Sequence, residues 1–178
     1  MQTRRITKKE FRKAFSEVAL LELMNYQPLE MGVQYNFITA GDVDALSYLK
    51  IVMNQHDLDH LIVSTWCMSQ KDAEDIAAWV NDGRIKAMDF YVGEILPSGD
   101  KAAWRVLKNL YEEKPDLGKL IAFRNHAKIF AGLNEKEHFY FGLQSSANIN
   151  TNPRCEQACL TTDKELYEFY KDYFDKIR

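Results

Sequence analysis

Hydrophobic positions along the chain follow two periods, and the points where one gives way to the other outline the elements. Phe11, Ala14, Phe15, Val18 and Leu21 recur at helical spacing behind Thr7-x-x-Glu10, a capping box. The spacing predicts an amphipathic helix that ends before Pro28. Val33, Tyr35 and Phe37 alternate with Gln34 and Asn36, the period of a first strand. Asp42 is placed to cap a helix reaching about Gln55, with Val43, Leu46, Leu49 and Met53 on one face. Residues 60–66 form a short apolar strand that ends in hydroxyls. Ser69 and Asp72 open a second capped helix, bearing Ile76, Trp79 and Val80 and stopping at Gly83. Residues 85–95 read as a third strand, and Ala103, Trp104, Leu107, Leu110 and Tyr111 as a helix ended by Pro115. Thr162-x-x-Glu165 caps a last helix with Leu166, Phe169, Tyr170, Tyr173 and Phe174.

Between the last two helices lie residues 120–160, where the chemistry is concentrated. Two runs rich in β-branched and aromatic residues flank a polar tip of Asn134, Glu135, Lys136 and Glu137, which predicts a strand hairpin. Strand alternation puts His126 and Lys128 on one face, and likewise Ser146 and Asn148 on the returning strand. The following segment adds Glu156. An imidazole, an ammonium, a hydroxyl, a carboxamide and a carboxylate would then meet at one end of a sheet. Such a set supplies a nucleophile, donors for phosphate oxygens and a group to orient the nucleophile.

His126-Ala127-Lys128, then Ser146-Ala147-Asn148, then Glu156, resembles the HxK…SxN…E signature of the phospholipase D superfamily. One copy is present, as in the single-motif nuclease branch, whose members pair two copies by dimerising. The chain departs from the pattern at Leu133, where the family usually has an Asp, and at Ser145, where it usually has a Gly. Its hairpin tip is also longer.

The resemblance implies an α/β fold: a phospholipase D-like mixed sheet flanked by helices on both faces, over residues 31–178. Residues 1–30 would be a basic, amphipathic helical extension. It implies a metal-independent phosphodiesterase without a cofactor, a nuclease first, acting through a phosphohistidine on His126. In that scheme Lys128, Ser146 and Asn148 hold phosphate oxygens. Glu156 orients the histidine of the opposite half of a homodimer. Hydrolysis of a phospholipid or small phosphodiester is the alternative, as is a catalytically silent module that binds nucleic acid or phosphate.

Composition narrows this less than the motif does. The chain has 178 residues, 46% hydrophobic and 28% charged, which fits one globular domain with a substantial core. No apolar run is long enough for a membrane span, so no membrane insertion is expected, and the basic start lacks the apolar stretch of a secretory signal. Cytoplasmic location is the resulting expectation. The net charge of −3 argues against a chain that coats nucleic acid. Yet Arg4, Arg5, Lys8, Lys9, Arg12 and Lys13 face only Glu10 in the first 13 residues. That segment is either a solvated helix start or a phosphate-binding arm.

Cys67, Cys155 and Cys159 are odd in number and fit reduced thiols rather than a disulfide framework, and Cys155 and Cys159 read as small buried side chains. His56-Asp-Leu-Asp-His60 has ligand-like spacing, but it falls where a helix hands over to a strand and reads as a solvated loop. Trp66, at a strand end, is placed either to stack on a base or to pack.

Overall fold

The computed structural model describes residues 8–40, 43–150 and 154–177. In chain order they form β1 (Lys8–Ala14), α1 (Glu17–Asn25), β2 (Val33–Ala40), α2 (Ala45–Met53), β3 (His60–Thr65), α3 (Gln70–Asn81) and β4 (Met88–Gly93). Then come α4 (Leu96–Gly99), α5 (Lys101–Glu113), β5 (Leu120–Phe123), β6 (Ile129–Asn134), β7 (Phe139–Ser145), β8 (Cys155–Thr161) and α6 (Lys164–Phe174). The strands make one mixed eight-stranded sheet in the order β1-β2-β8-β7-β6-β3-β4-β5.

Alternation within the strands sorts residues between two cores. Tyr35, Phe37, Leu61, Val63, Phe90, Val92, Phe130, Phe141 and Leu143 face the larger one, with the buried residues of α1, α2, α3 and α5. Ile62, Tyr91, Ala131 and Leu133 face the smaller one, which α6 closes with Tyr167, Tyr170 and Phe174. The sheet is thus flanked by helices on both faces, several on one and α6 on the other. Full burial of a ring such as Phe130 or Phe141 stabilises the fold by roughly 1.5–3 kcal/mol. Gly142 lets α6 lie close on β7, since a Cβ there would come within 2.6 Å of Leu166.

Three local expectations are corrected. The helix expected from Thr7 is instead strand β1 over Lys8–Ala14, paired in parallel with β2 from Lys8↔Val33 to Ala14↔Thr39. The helix in this region starts later, where the Ser16 hydroxyl accepts from Ala19 N at 3.2 Å. Thr7 lies outside the described residues, as does Asp42, and Asp44 caps α2 with Ser47 as its reciprocal partner. The final helix is capped by Asp163, which accepts from Leu166 N at 2.8 Å, not by Thr162. The Thr162 hydroxyl is buried and donates to the Glu30 carbonyl.

Strand direction defines where a site can form. β2, β3, β4, β5 and β7 run toward one end of the sheet, and β6 and β8 leave from it. The hairpin tip, residues 134–138, lies at the opposite end. There Glu137 N donates to Asn134 Oδ1 at 3.0 Å, and His138 adopts a positive φ of 52°.

Candidate active site

The residues singled out in the sequence gather at the end of the sheet where β6 and β8 begin and β7 finishes. They do so from loops, which corrects the expected strand placement. His126 and Lys128 lie in the connection from β5 to β6, and Ser146 and Asn148 lie just past the end of β7. Only Glu156 stands on a strand, β8. The loops are held side by side by Ser145 N donating to the Lys128 carbonyl at 3.1 Å and Ser146 N donating to the Gln157 carbonyl at 3.0 Å.

Lys128 folds back over His126. Its Nζ lies 2.8 Å from Nδ1 of the imidazole and 2.8 Å from the His126 carbonyl oxygen. Among the described residues no carboxylate comes within ion-pair distance of this ammonium. Burial holds the Lys128 ammonium below the ordinary lysine pKa, opposed by the nearby charges of Cys67 and Glu156. A partly desolvated cation with no carboxylate partner attracts an anion more strongly than one free in water. The His126 ring is exposed and lies 5.2 Å from the Trp66 indole, centroid to centroid.

The second half of the set is more tightly tied. Ser146 Oγ donates to Glu156 Oε2 and accepts from Gln157 N at 3.0 Å. Glu156 is 9% exposed, and its own backbone carbonyl accepts from Thr39 Oγ1, which also meets Tyr48 OH at 2.9 Å. Burial, with the neighbouring Glu156 and Asp44 charges, pushes the Tyr48 phenol up to about 12, so it stays protonated. The Asn148 backbone carbonyl accepts from Ala45 N at the start of α2, at 3.0 Å. The carboxamide Oδ1 of Asn148 is buried and has no hydrogen-bond partner among the described residues.

Several residues that build the site carry no signal in the sequence. Asn125 is 8% exposed and fastens the histidine loop to two strand ends. Its Nδ2 donates to Ser64 Oγ at 3.0 Å and to the Tyr91 carbonyl at 3.2 Å, and its Oδ1 accepts from Ala127 N at 3.0 Å. Ser64 Oγ in turn donates to the Ala127 carbonyl at 3.2 Å. Thr65 Oγ1 donates to the Cys67 carbonyl at 2.8 Å and accepts weakly from Ile149 N at 3.4 Å. The hydroxyls at the end of β3 therefore reach both loops. Gly93 is needed at the end of β4, because a Cβ would sit 2.5 Å from the Trp66 carbonyl.

The other candidates separate. His56 stacks on Phe139 at 3.8 Å and pairs with Glu137 at 2.5 Å, whereas His60 bridges Tyr167 OH at 2.8 Å and Asp89 at 3.1 Å. Among the described residues no group of three or more His, Cys, Asp or Glu could hold a metal ion. All three cysteines are free, but Cys155 is exposed and the other two half-buried, which corrects the expectation of buried side chains. Leu133, at the position where an Asp was expected by resemblance, is packed in the smaller core and far from His126 along β6. No helix among the described residues is long and apolar enough to cross a membrane.

No protein-family model and no curated protein matches the sequence. The fold does have a counterpart among solved structures. The polyphosphate kinase from Porphyromonas gingivalis superposes with a TM-score of 0.56 at 12% identity, over 87% of this chain. The match takes in 26% of that kinase, so the chain spans about a quarter of its length. At that identity the likeness concerns the fold, which in the kinase is phospholipase D-like. The sheet, its two helical layers and this likeness together give the chain a phospholipase D-like α/β fold.

Proposed function

We propose that the protein is a metal-independent phosphodiesterase, first of all a nuclease, working through a phosphohistidine on His126 in a site shared by two copies of the chain. The observation that carries this reading is the Lys128 ammonium resting on the His126 ring with no carboxylate at ion-pair distance among the described residues. The kinase with the same fold is, by its name, a phosphoryl-transfer enzyme, which agrees with the reading at the level of phosphorus chemistry.

In the proposed reaction an imidazole nitrogen of His126 attacks phosphorus. The P–N bond forms as the P–O bond to the leaving group breaks, and the leaving oxygen takes a proton from the partner subunit's His126. That imidazole, now neutral, draws a proton from water as the water attacks phosphorus. The P–N bond breaks, and both rings return to their starting states. Lys128 and the Asn148 carboxamide flank the phosphoryl group, and the cation offsets the charge that grows on its oxygens. Ser146 serves mainly by holding Glu156 and the loop, since its hydroxyl is already engaged at both ends.

Purified protein is expected to turn over a generic phosphodiester at an unchanged rate in excess EDTA. Loss of turnover on chelation, restored by magnesium, would overturn the mechanism. A silent phosphate-binding module is the second reading, favoured by the engaged Ser146 hydroxyl, and absence of turnover with retained phosphate binding would establish it.

A further inference from the structure

Beside His126, on the face that α6 covers, the surface sinks into a groove of about 400 Å³. Phe123 and Ile129 from the sheet line it together with Phe169, Tyr170 and Tyr173 of α6. Arg124, Asn125 and His126 itself also line it. Phe169 and Tyr173, one helical turn apart, are 66% and 55% exposed. Two large rings left open to water on one helix, lining the same groove as the candidate nucleophile, are not explained by packing: α6 buries its other rings, Tyr167, Tyr170 and Phe174, against the sheet.

The groove is aromatic and bears a single cation at its lip. The Arg124 side chain is 91% exposed and reaches Glu94 only at 3.8 Å. Of the acids on and just past α6, Glu168, Asp172 and Asp175 are matched by Lys164, Lys176 and Lys171, whereas Glu165 has no ion-pair partner among the described residues. The groove offers π-faces, and His126, against which Lys128 rests, is one of its lining residues, so in the proposed reading a phosphate would sit at its edge. Planar rings next to a chain of anionic phosphates are the chemistry this surface complements.

We propose that the groove is a base-stacking subsite for single-stranded nucleic acid. Phe169 and Tyr173 hold the base next to the scissile phosphate, and Arg124 holds the adjoining phosphate. The subsite rests on the proposed reading of His126 and Lys128 for its orientation, but it binds whether or not the histidine reacts. Single strands suit it better than duplex because a paired base keeps its faces stacked within the helix. The volume is at the lower end of small-ligand pockets, enough for a ring but not for a pair of acyl chains.

The test measures the affinity of the intact protein for oligothymidylate, and for an abasic phosphodiester oligomer of equal length. In Phe169→Ala/Tyr173→Ala the thymidylate Kd is expected to rise about tenfold or more, with the abasic Kd unchanged. Tyr173→Phe, which keeps the ring, is expected to bind like the parent. Equal loss for both oligomers, no loss for either, or no binding of oligothymidylate by the parent protein would overturn the proposal. So would a double variant whose only change is loss of phosphatidylglycerol vesicle binding or of self-association, which would assign the groove to lipid or to a second copy. These are binding measurements, so failure of the EDTA-resistant turnover would remove the catalytic reading and leave the subsite standing.

Discussion

His126→Asn is expected to lower phosphodiester turnover by roughly 10⁴-fold or more, because in the proposed reaction it removes the nucleophile and, in a symmetric dimer, the leaving-group acid as well. The fold is expected to survive the change nearly intact. The ring is exposed, and its recorded contacts are with the Lys128 ammonium and the Trp66 indole. Such a surface substitution usually moves stability by no more than about 0.5 kcal/mol. Thermal unfolding should therefore be unchanged while activity is lost, which separates a chemical role from a structural one. A dimer with one mutant subunit should also be dead or nearly so, since it keeps either the nucleophile or the acid but never both. Tagged heterodimers assayed after light scattering provide that measurement. A fully active monomer at assay concentration would show that the site is not shared.

Asn125→Ala is expected to be the reverse case, a change outside the reacting atoms that damages both fold and rate. Truncation leaves the Ala127 N–H and the Tyr91 carbonyl without their side-chain partner and opens a hole at the end of β3. Losing a buried amide with several hydrogen bonds costs about 2–4 kcal/mol. For a chain of this size that is a fall in Tm of roughly 5–15 °C. Turnover at a temperature where the variant is still folded should also fall, by about tenfold or more, because His126 is the next residue and a loosened loop misplaces it. Calorimetry and steady-state kinetics on the same preparation test both halves. Unchanged Tm would mean that the loop is held by other contacts. A lowered Tm with full activity would mean that Asn125 has no part in aiming His126.

The sequence was legible where one physical cause dominates. Alternation in β2 follows from burial of one face, the continuous apolar run of β3 from burial of both, and Ser69 caps α3 as its spacing predicts. The hairpin tip is where the polar run places it. The start of the chain was illegible because its apolar spacing fits a helix while its pairing partner lies elsewhere. Glu10, Arg12 and Ala14 turn one way and Lys9, Phe11 and Lys13 the other, an alternation that the neighbouring β2 turns into a strand. Phe11 and Phe15, read as a buried helical face, are 73% and 75% exposed. That correction also bears on the basic segment: Lys8 and Arg12 both pair with Glu10, so part of its charge is neutralised within the strand.

The grouping of the candidate residues was legible and their geometry was not. The sheet brings the segments that carry His126, Lys128, Ser146, Asn148 and Glu156 to one end, and their phosphate-handling role is the proposed reading. The strand rule used to align His126 with Lys128 does not apply, since β6 begins only at Ile129. The Asn125 carboxamide and the Ser64 hydroxyl bring the loop to the sheet instead. A loop fixed by one buried amide leaves no periodic trace in a sequence, because its bonds run to strands about 34 and 61 residues earlier. The groove on α6 is hidden for a similar reason. Phe169 and Tyr173 share the helical spacing of the buried rings, and which rings the sheet covers is decided by how α6 lies on it.

The central claim is that His126 becomes covalently bonded to phosphorus. The direct measurement is to quench the protein at high pH during turnover of a slow phosphodiester, digest it and weigh the peptide that contains His126. A phosphoramidate survives such conditions, whereas it is lost in acid. The account predicts a phosphoryl adduct on His126 that forms and decays with turnover and is absent from His126→Asn. Turnover without any adduct on His126, or an adduct on another residue that decays at the catalytic rate, would contradict it.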